Sequence, residues 1–263
     1  MATMPTFSTD GAARYDRTAE PIMAPFAAVL VEAAQIHTDA TVLDFMCGPG
    51  FAARVAAERS GPMGTVIGVD PDPAMIEVAS QHGAGYVIEW IVSTIDDLPL
   101  SNASADVVLS LHGAGALRDP RAALTEALRV VTATGSFAAT IWAPLEANPY
   151  LKAHARALQT IGAEEELAVL QDSTAYSVEQ FQSDLRGAGW HEPTSREATV
   201  RIRLPGSIAA AAERLRGTPW GAHLDPETAR QAARSCLGDL EEYVEADGSL
   251  VVPFTSHLVR AYP

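Results

Sequence analysis

Asp44, Gly48 and Gly50 stand together in the run VLDFMCGPG (42–50), and Asp70 closes the next apolar run, TVIGVD (65–70). The glycines follow an apolar stretch directly and precede a helical pattern. Glycine there lets the backbone turn tightly and approach a bound molecule without Cβ interference. The helix that follows points its free N–H groups at the same place, which favours an anionic group such as a carboxylate or phosphate. Asp70 comes 26 positions after Asp44. That is close to the ~20-residue offset at which an acid accepts hydrogen bonds from a ribose diol. Its alternative role, capping the next helix, is already filled by Asp72. Loop and acid together point to a nucleoside.

Two nucleosides compete. A nicotinamide dinucleotide needs a third small residue after the glycines, and Ala53 is allowed there. Asp44 counts against it, because a carboxylate is repelled by a pyrophosphate but stabilised beside a cationic amino acid or sulfonium. S-adenosyl-L-methionine carries an ammonium and a sulfonium and fits Asp44.

These residues need a scaffold. Residues 41–46, 65–70, 86–92, 105–111 and 135–142 read as buried strands, and 51–60, 72–81 and 120–131 read as the helices between them. Asp72 serves as an N-cap with Pro73 at the first helical position. This alternation predicts an α/β fold, a parallel sheet wound with helices on both faces. After Trp142 the rhythm changes. Helices are expected over 148–170, 177–188, 206–216 and 225–246, with a strand at 199–204. Gly187 and Gly189 would stop the second of these. A last strand, SLVVPFTSHLVRAY, is placed on the sheet edge because Pro253 cannot donate to a central ladder. The late helices would cap the carboxyl end of the strands. The expected organisation is one elaborated domain, with a core over 1–145 and cap helices plus the final core strands over 146–263.

The runs VLDFMCGPG (42–50), VIGVDPDPAMIEVA (66–79), IDDLPLSNASADVVLS (95–110) and LRDPRAALTEALRVVTATGSFAATIW (117–142) resemble the class I S-adenosylmethionine-dependent methyltransferases. The likeness is to their UbiE-like, type 11/25 small-molecule group. It implies a Rossmann-like, doubly wound, mostly parallel sheet of seven strands, the last antiparallel, with a helical cap. It also implies residue roles. Asp44 would hold the cofactor's ammonium, directly or through water, and Gly48 and Gly50 would pass under its amino-acid part. Asp70 would bind the ribose, Pro71 and Met75 would line the adenine, and Thr94, Ile95 and Asp96 would follow its edge. Ser110 and Leu111 would lie near the amino-acid moiety, and Tyr15 would close over the cofactor. Three departures stand out. Met46 replaces the usual Gly or Ala, Thr94 replaces an Asp that accepts from the adenine amino group, and LHGAGAL (111–117) is rich in small residues, as if to leave room for a bulky acceptor.

Methyl transfer is an in-line displacement at carbon, so the protein must mainly align the partners and exclude water. A hydroxyl acceptor also needs a general base, for which His112, after the fourth strand, is the candidate. His154, His223 and His257 are further substrate contacts to consider, and Trp142, Tyr150, Trp220 and Phe254 could line an apolar acceptor pocket. The expected reaction is methylation of a small apolar or aromatic metabolite on oxygen, nitrogen or carbon. The alternative is a cofactor-binding relative that catalyses a non-methylating cyclisation or rearrangement in natural-product biosynthesis.

Composition removes other classes. With 18 basic against 33 acidic residues the chain carries a formal charge of −15, which works against phosphate neutralisation, so no nucleic-acid partner is expected. The acidic clusters at Glu164–Glu166 and around Asp239–Glu242 read as solvated helix faces. No apolar stretch reaches the ~18 residues of a membrane span, and the first residues do not form a secretory leader, so no membrane partner is expected. Two cysteines, Cys47 and Cys236, offer neither a disulfide framework nor a CxxC metal pair, and no HExxH, DxDxDG or GxSxG run occurs. A cytoplasmic protein without a metal, taking a small-molecule acceptor, is the expectation, with a homodimer left open.

Overall fold

A computed structural model describes residues 6–82, 85 and 87–263. Among the described residues, seven strands form one sheet: β1 (Thr41–Phe45), β2 (Thr65–Asp70), β3 (Ile88–Val92), β4 (Ala105–Leu111), β5 (Val131–Trp142), β6 (His191–Leu204) and β7 (Leu250–Tyr262). Their spatial order is β3-β2-β1-β4-β5-β7-β6. The first five run parallel, and β7 runs against both of its neighbours. This is the α/β, Rossmann-like, mostly parallel sheet anticipated above. The strand order reverses between β1 and β4, which opens a crevice beyond their carboxyl ends. Both the glycine turn and His112 follow these two strands.

Helices cover both faces. The helix α1 (Thr9–Ala34) and α2 (Phe51–Ser60) pack on one, where Leu30, Val31, Ala53 and Ala56 meet Val42 and Leu109. On the other, α4 (Pro120–Val130) and α7 (Val178–Gly187) bring Leu124, Phe181 and Leu185 against Leu43, Val108 and Phe137. Adjacent residues Val42 and Leu43 thus serve opposite layers, the period-2 signature of a strand buried on both sides. Burying each such side chain contributes about 1.5–3 kcal/mol. Between β2 and β3 lies α3 (Pro73–Gln81). It, α4 and α9 (Pro226–Asp239) share one start signal: an Asp that accepts first-turn N–H groups, followed by Pro at the first helical position.

A third apolar cluster sits above the carboxyl ends. There α5 (Pro149–Thr160), α6 (Glu164–Ala175), α8 (Ile208–Arg216) and α9 gather Tyr150, Leu158, Leu170, Leu215 and Ala232 around Phe26, Trp142 and Phe254. The acids Glu164, Glu165 and Glu166 fall in the first turn of α6, where the helix dipole favours them.

Four expectations need correction. The helix read over 148–170 is two, α5 and α6, because Gly162 takes a left-handed turn (φ +71°) between them. The helix expected to 246 ends at Asp239 and passes into a short 3-10 turn at Glu241–Tyr243. The last strand is not on the edge: β7 lies between β5 and β6. Its ladder with β5 stops at Ser256, so Pro253 stands where only β6 runs alongside. Finally, the 26-residue α1 carries Pro21 and Pro25 inside it, which the sequence reading did not turn into a helix. Tyr86, read as the first residue of the third strand, lies outside the described residues. Among the described residues no helix is long and apolar enough to cross a membrane.

Candidate active site

The turn after β1 is built from left-handed backbone. Met46 (φ +59°), Gly48 (φ +53°) and Gly50 (φ +86°) all have positive φ. Such a conformation costs a non-glycine residue roughly 1–2 kcal/mol, a cost that Met46 carries and a glycine there would not. The two glycines serve different ends. Nothing lies within 4 Å of a Cβ placed on Gly48, which opens onto a cavity, whereas a Cβ on Gly50 would sit 2.3 Å from the Trp90 ring. Gly50 is therefore small for the sake of Trp90, which also lies over Gly68, and it does not line the cavity.

Asp44 does not line the cavity either. It is 1% exposed, and its Oδ2 accepts the Ala53 N–H at 2.8 Å, satisfying a donor in the first turn of α2. Its Oδ1 has no partner. Burial pushes its pKa up to about 7, with the Ala53 hydrogen bond pulling the other way.

Asp70 is on the wall. Its Oδ2 accepts the Gly48 N–H at 2.8 Å and its Oδ1 the Asp72 N–H at 2.9 Å. A carboxylate offers about four lone-pair sites, so capacity remains for a ligand's hydroxyls. Burial raises its pKa to about 6. Asp72 caps α3 through Ala74 and accepts the Phe7 N–H at 2.7 Å, tying the N-terminal segment across the opening. Tyr15 lies between Phe7 and Phe51 (centroids 5.7 and 6.2 Å) and faces the cavity. Pro71, Met75, Thr94, Ile95 and Asp96 line it too.

His112 follows β4 with φ +56° and its N–H bonded to the Thr140 carbonyl at 3.0 Å. The ring stacks on Trp142 (3.9 Å, planes 9° apart) and meets the edge of Phe26 at 5.2 Å. Neither ring nitrogen has a partner, and burial lowers its pKa to about 3. The imidazole is thus neutral, and a weaker base than the near-neutral histidine expected. Ser110 is fully buried with an unpartnered Oγ and does not reach the cavity, whereas Leu111 does.

The small residues after β4, Gly113, Gly115 and Ala116, line the cavity, and the two glycines also answer to packing. A Cβ on Gly113 would fall 2.4 Å from Met46 Cβ, and one on Gly115 would meet the Ser173 carbonyl of α6 at 3.1 Å. Two departures from the family pattern are therefore one feature: Gly113 makes room for Met46.

The cavity, about 560 Å³, runs from Asp70 and Met75 past His112 to Trp142, Tyr150, His154, Trp220 and Phe254 under the cap. That is a usual size for a small-molecule site. His223 and His257 do not line it. Sequence reasoning missed Trp90 and Arg214. The latter stands three residues after Ala211 and one before Leu215, both buried, and a charge on an otherwise apolar helical stripe was the available signal. Among the described residues no cluster suited to a metal ion occurs.

An open sheet with this strand order, a left-handed glycine turn and an acid at the end of β2 is an arrangement that suits a nucleoside. Residues 43–139 match the family model described as a methyltransferase domain. Demethylmenaquinone methyltransferase of Chlamydia pneumoniae is 31% identical over 140 residues, 52% of this chain and 60% of that one. The ubiquinone/menaquinone biosynthesis C-methyltransferase UbiE of Caulobacter vibrioides is 31% identical over 165 residues, 60% of this chain and 65% of its own length. The matched part thus spans less than two thirds of either relative. The YcgJ protein of Bacillus subtilis superposes with a TM-score of 0.58 at 18% identity, covering 90% of this chain and 97% of that one, which speaks to the fold. Over residues 43–139 the chain is similar to methyltransferase domains, and over a little more than half of its length to quinone methyltransferases. The open cradle at Gly48 and the unused acceptor capacity of Asp70 fit S-adenosylmethionine.

Proposed function

We propose that this protein transfers a methyl group from S-adenosylmethionine to a small acceptor with an apolar or aromatic body, on oxygen, nitrogen or carbon, bound beneath the cap helices. One observation carries this reading: a single cavity joins the Asp70 end to the aromatic cap end, with His112 between. The bound cofactor supplies an electrophilic methyl on a sulfonium.

The chain's residues do the rest. Asp70 takes the ribose hydroxyls with the lone pairs its two backbone bonds leave free. Gly48 lets the amino-acid part lie against bare backbone, and Asp44 stands behind the turn with an unpartnered Oδ1, where an ammonium nearby favours its ionised form. Pro71, Met75, Thr94 and Ile95 contact the base, and Tyr15 covers it. His112, neutral and with both nitrogens unpaired, receives a hydrogen bond from the acceptor's O–H or N–H. An orphaned buried polar group costs about 1–3 kcal/mol, and an acceptor that satisfies it recovers that cost. The aromatic walls and α1 shut out water, which strengthens each polar contact within.

Incubation with methyl-labelled cofactor and a panel of phenols, amines and polyketides tests the proposal. Release of S-adenosylhomocysteine with label in an acceptor supports it. Tight cofactor binding with no transfer across the panel favours the non-methylating alternative.

A further inference from the structure

Arg214, on α8, is 6% exposed and lines the cavity. Its Nε donates to the Tyr150 hydroxyl at 2.9 Å, and its Nη2 is buried with no partner. Among the described residues no carboxylate lies within 4.0 Å of this guanidinium, although its neighbours in sequence are paired: Glu213 with Arg14 at 2.9 Å and Arg216 with Glu213 at 3.8 Å. The groups beside it are uncharged. Tyr150 and Cys236 are held protonated by burial, and His154 is kept neutral by burial and by Arg214 itself. The His154 Nδ1 already accepts the Trp220 indole N–H at 3.3 Å.

Arginine stays charged in proteins. A buried ion without a counter-charge is costly by several kcal/mol, so a cation kept unpaired on a cavity wall calls for a counter-ion from the occupant. With Nε committed to Tyr150, the two terminal nitrogens remain as the fork that an oxyanion meets bidentately.

Resting on the acceptor site assigned above, we propose that the acceptor is an acid: an aromatic or apolar body against Trp142 and Phe254, with a carboxylate or phosphate seated on Arg214. The reacting atom then faces His112, which lines the same cavity.

Calorimetric titration of the full chain, with and without S-adenosylhomocysteine, using benzoate, phenyl phosphate and the uncharged benzamide, tests this. At least one of the two anions should bind tenfold or more tightly than benzamide, and their ranking tells carboxylate from phosphate. Arg214→Gln should abolish that preference and Arg214→Lys should retain part of it. Equal behaviour of all three probes toward the wild-type protein, or a preference that survives Arg214→Gln, overturns the proposal. Should Arg214→Gln fail to fold, the wild-type preference and its loss with added salt decide alone. Failure of S-adenosylhomocysteine to bind would strike the cofactor reading separately.

Discussion

Gly113 and Met46 make a sharp test of how the crevice is built. At Gly113 the backbone (φ −78°, ψ −25°) suits alanine, so Gly113→Ala should gain about 0.4–1 kcal/mol through the unfolded chain. Against that, the new methyl would stand 2.4 Å from Met46 Cβ and 3.1 Å from Ser110 Oγ, where carbon atoms prefer about 3.5–4.0 Å. Overpacking of this kind costs about 1–3 kcal/mol. The net expectation is a loss of about 1–2 kcal/mol, or roughly 2–6 °C in Tm for a chain of this size. Met46→Gly removes the partner and relieves a left-handed backbone while giving up a half-buried thioether, so its own effect should stay within about 1 kcal/mol. In that background Gly113→Ala should be neutral or stabilising, a coupling of about 1–3 kcal/mol. Urea unfolding of the four proteins, followed by far-UV circular dichroism, measures it. Additive effects would refute the claim that the two departures compensate each other.

Other expectations follow from buried charge. The carboxyl of Asp44 titrates near pH 7 when folded against an ordinary value of 3.8, so the folded state holds an extra proton between those values. Its contribution is therefore full below about pH 4 and is lost as pH rises through about 7. Asp44→Asn, which keeps an oxygen for the Ala53 N–H, should gain on the wild type across that window by up to about 4 kcal/mol; a pH-independent difference in urea stability contradicts this. For His112, with a pKa near 3, the ring NMR signals should not titrate between pH 5 and 9. An inflection near 6.5 would mean the ring is solvated. Gly50→Ala, with φ +86° and Trp90 at 2.3 Å, should cost more than about 2 kcal/mol, and a thermal melt unchanged from wild type would remove Trp90 as the reason for that glycine.

Local signals carried most of the core. Residues 51–60 and 105–111 are a helix and a strand with the boundaries read from the sequence, and Asp72-Pro73 starts a helix as its capping chemistry demands. That Asp70, Pro71, Met75, Thr94 and Ile95 share one cavity wall was legible because a strand end and the turn after it fix where side chains point. What escaped depends on partners distant in the chain. Gly50 answers to Trp90, Gly113 to Met46 and Gly115 to Ser173, and no pattern within a short window contains such pairs. Asp44 was read as facing a ligand because its position suggested charge, whereas the first turn of α2 uses one of its oxygens. The prolines of α1 hid a long helix, and Pro253 suggested an edge that exists only locally. Arg214 and Tyr150, 64 residues apart, meet only after the cap folds.

The account rests most directly on Asp70 holding a ribose on the cavity wall. Calorimetric titration of S-adenosylhomocysteine into wild type and Asp70→Ala decides it. Each hydrogen bond to a charged group contributes about 1.5–3 kcal/mol, so loss of two should weaken binding by about a hundredfold or more. Equal affinity in the two proteins would contradict the account.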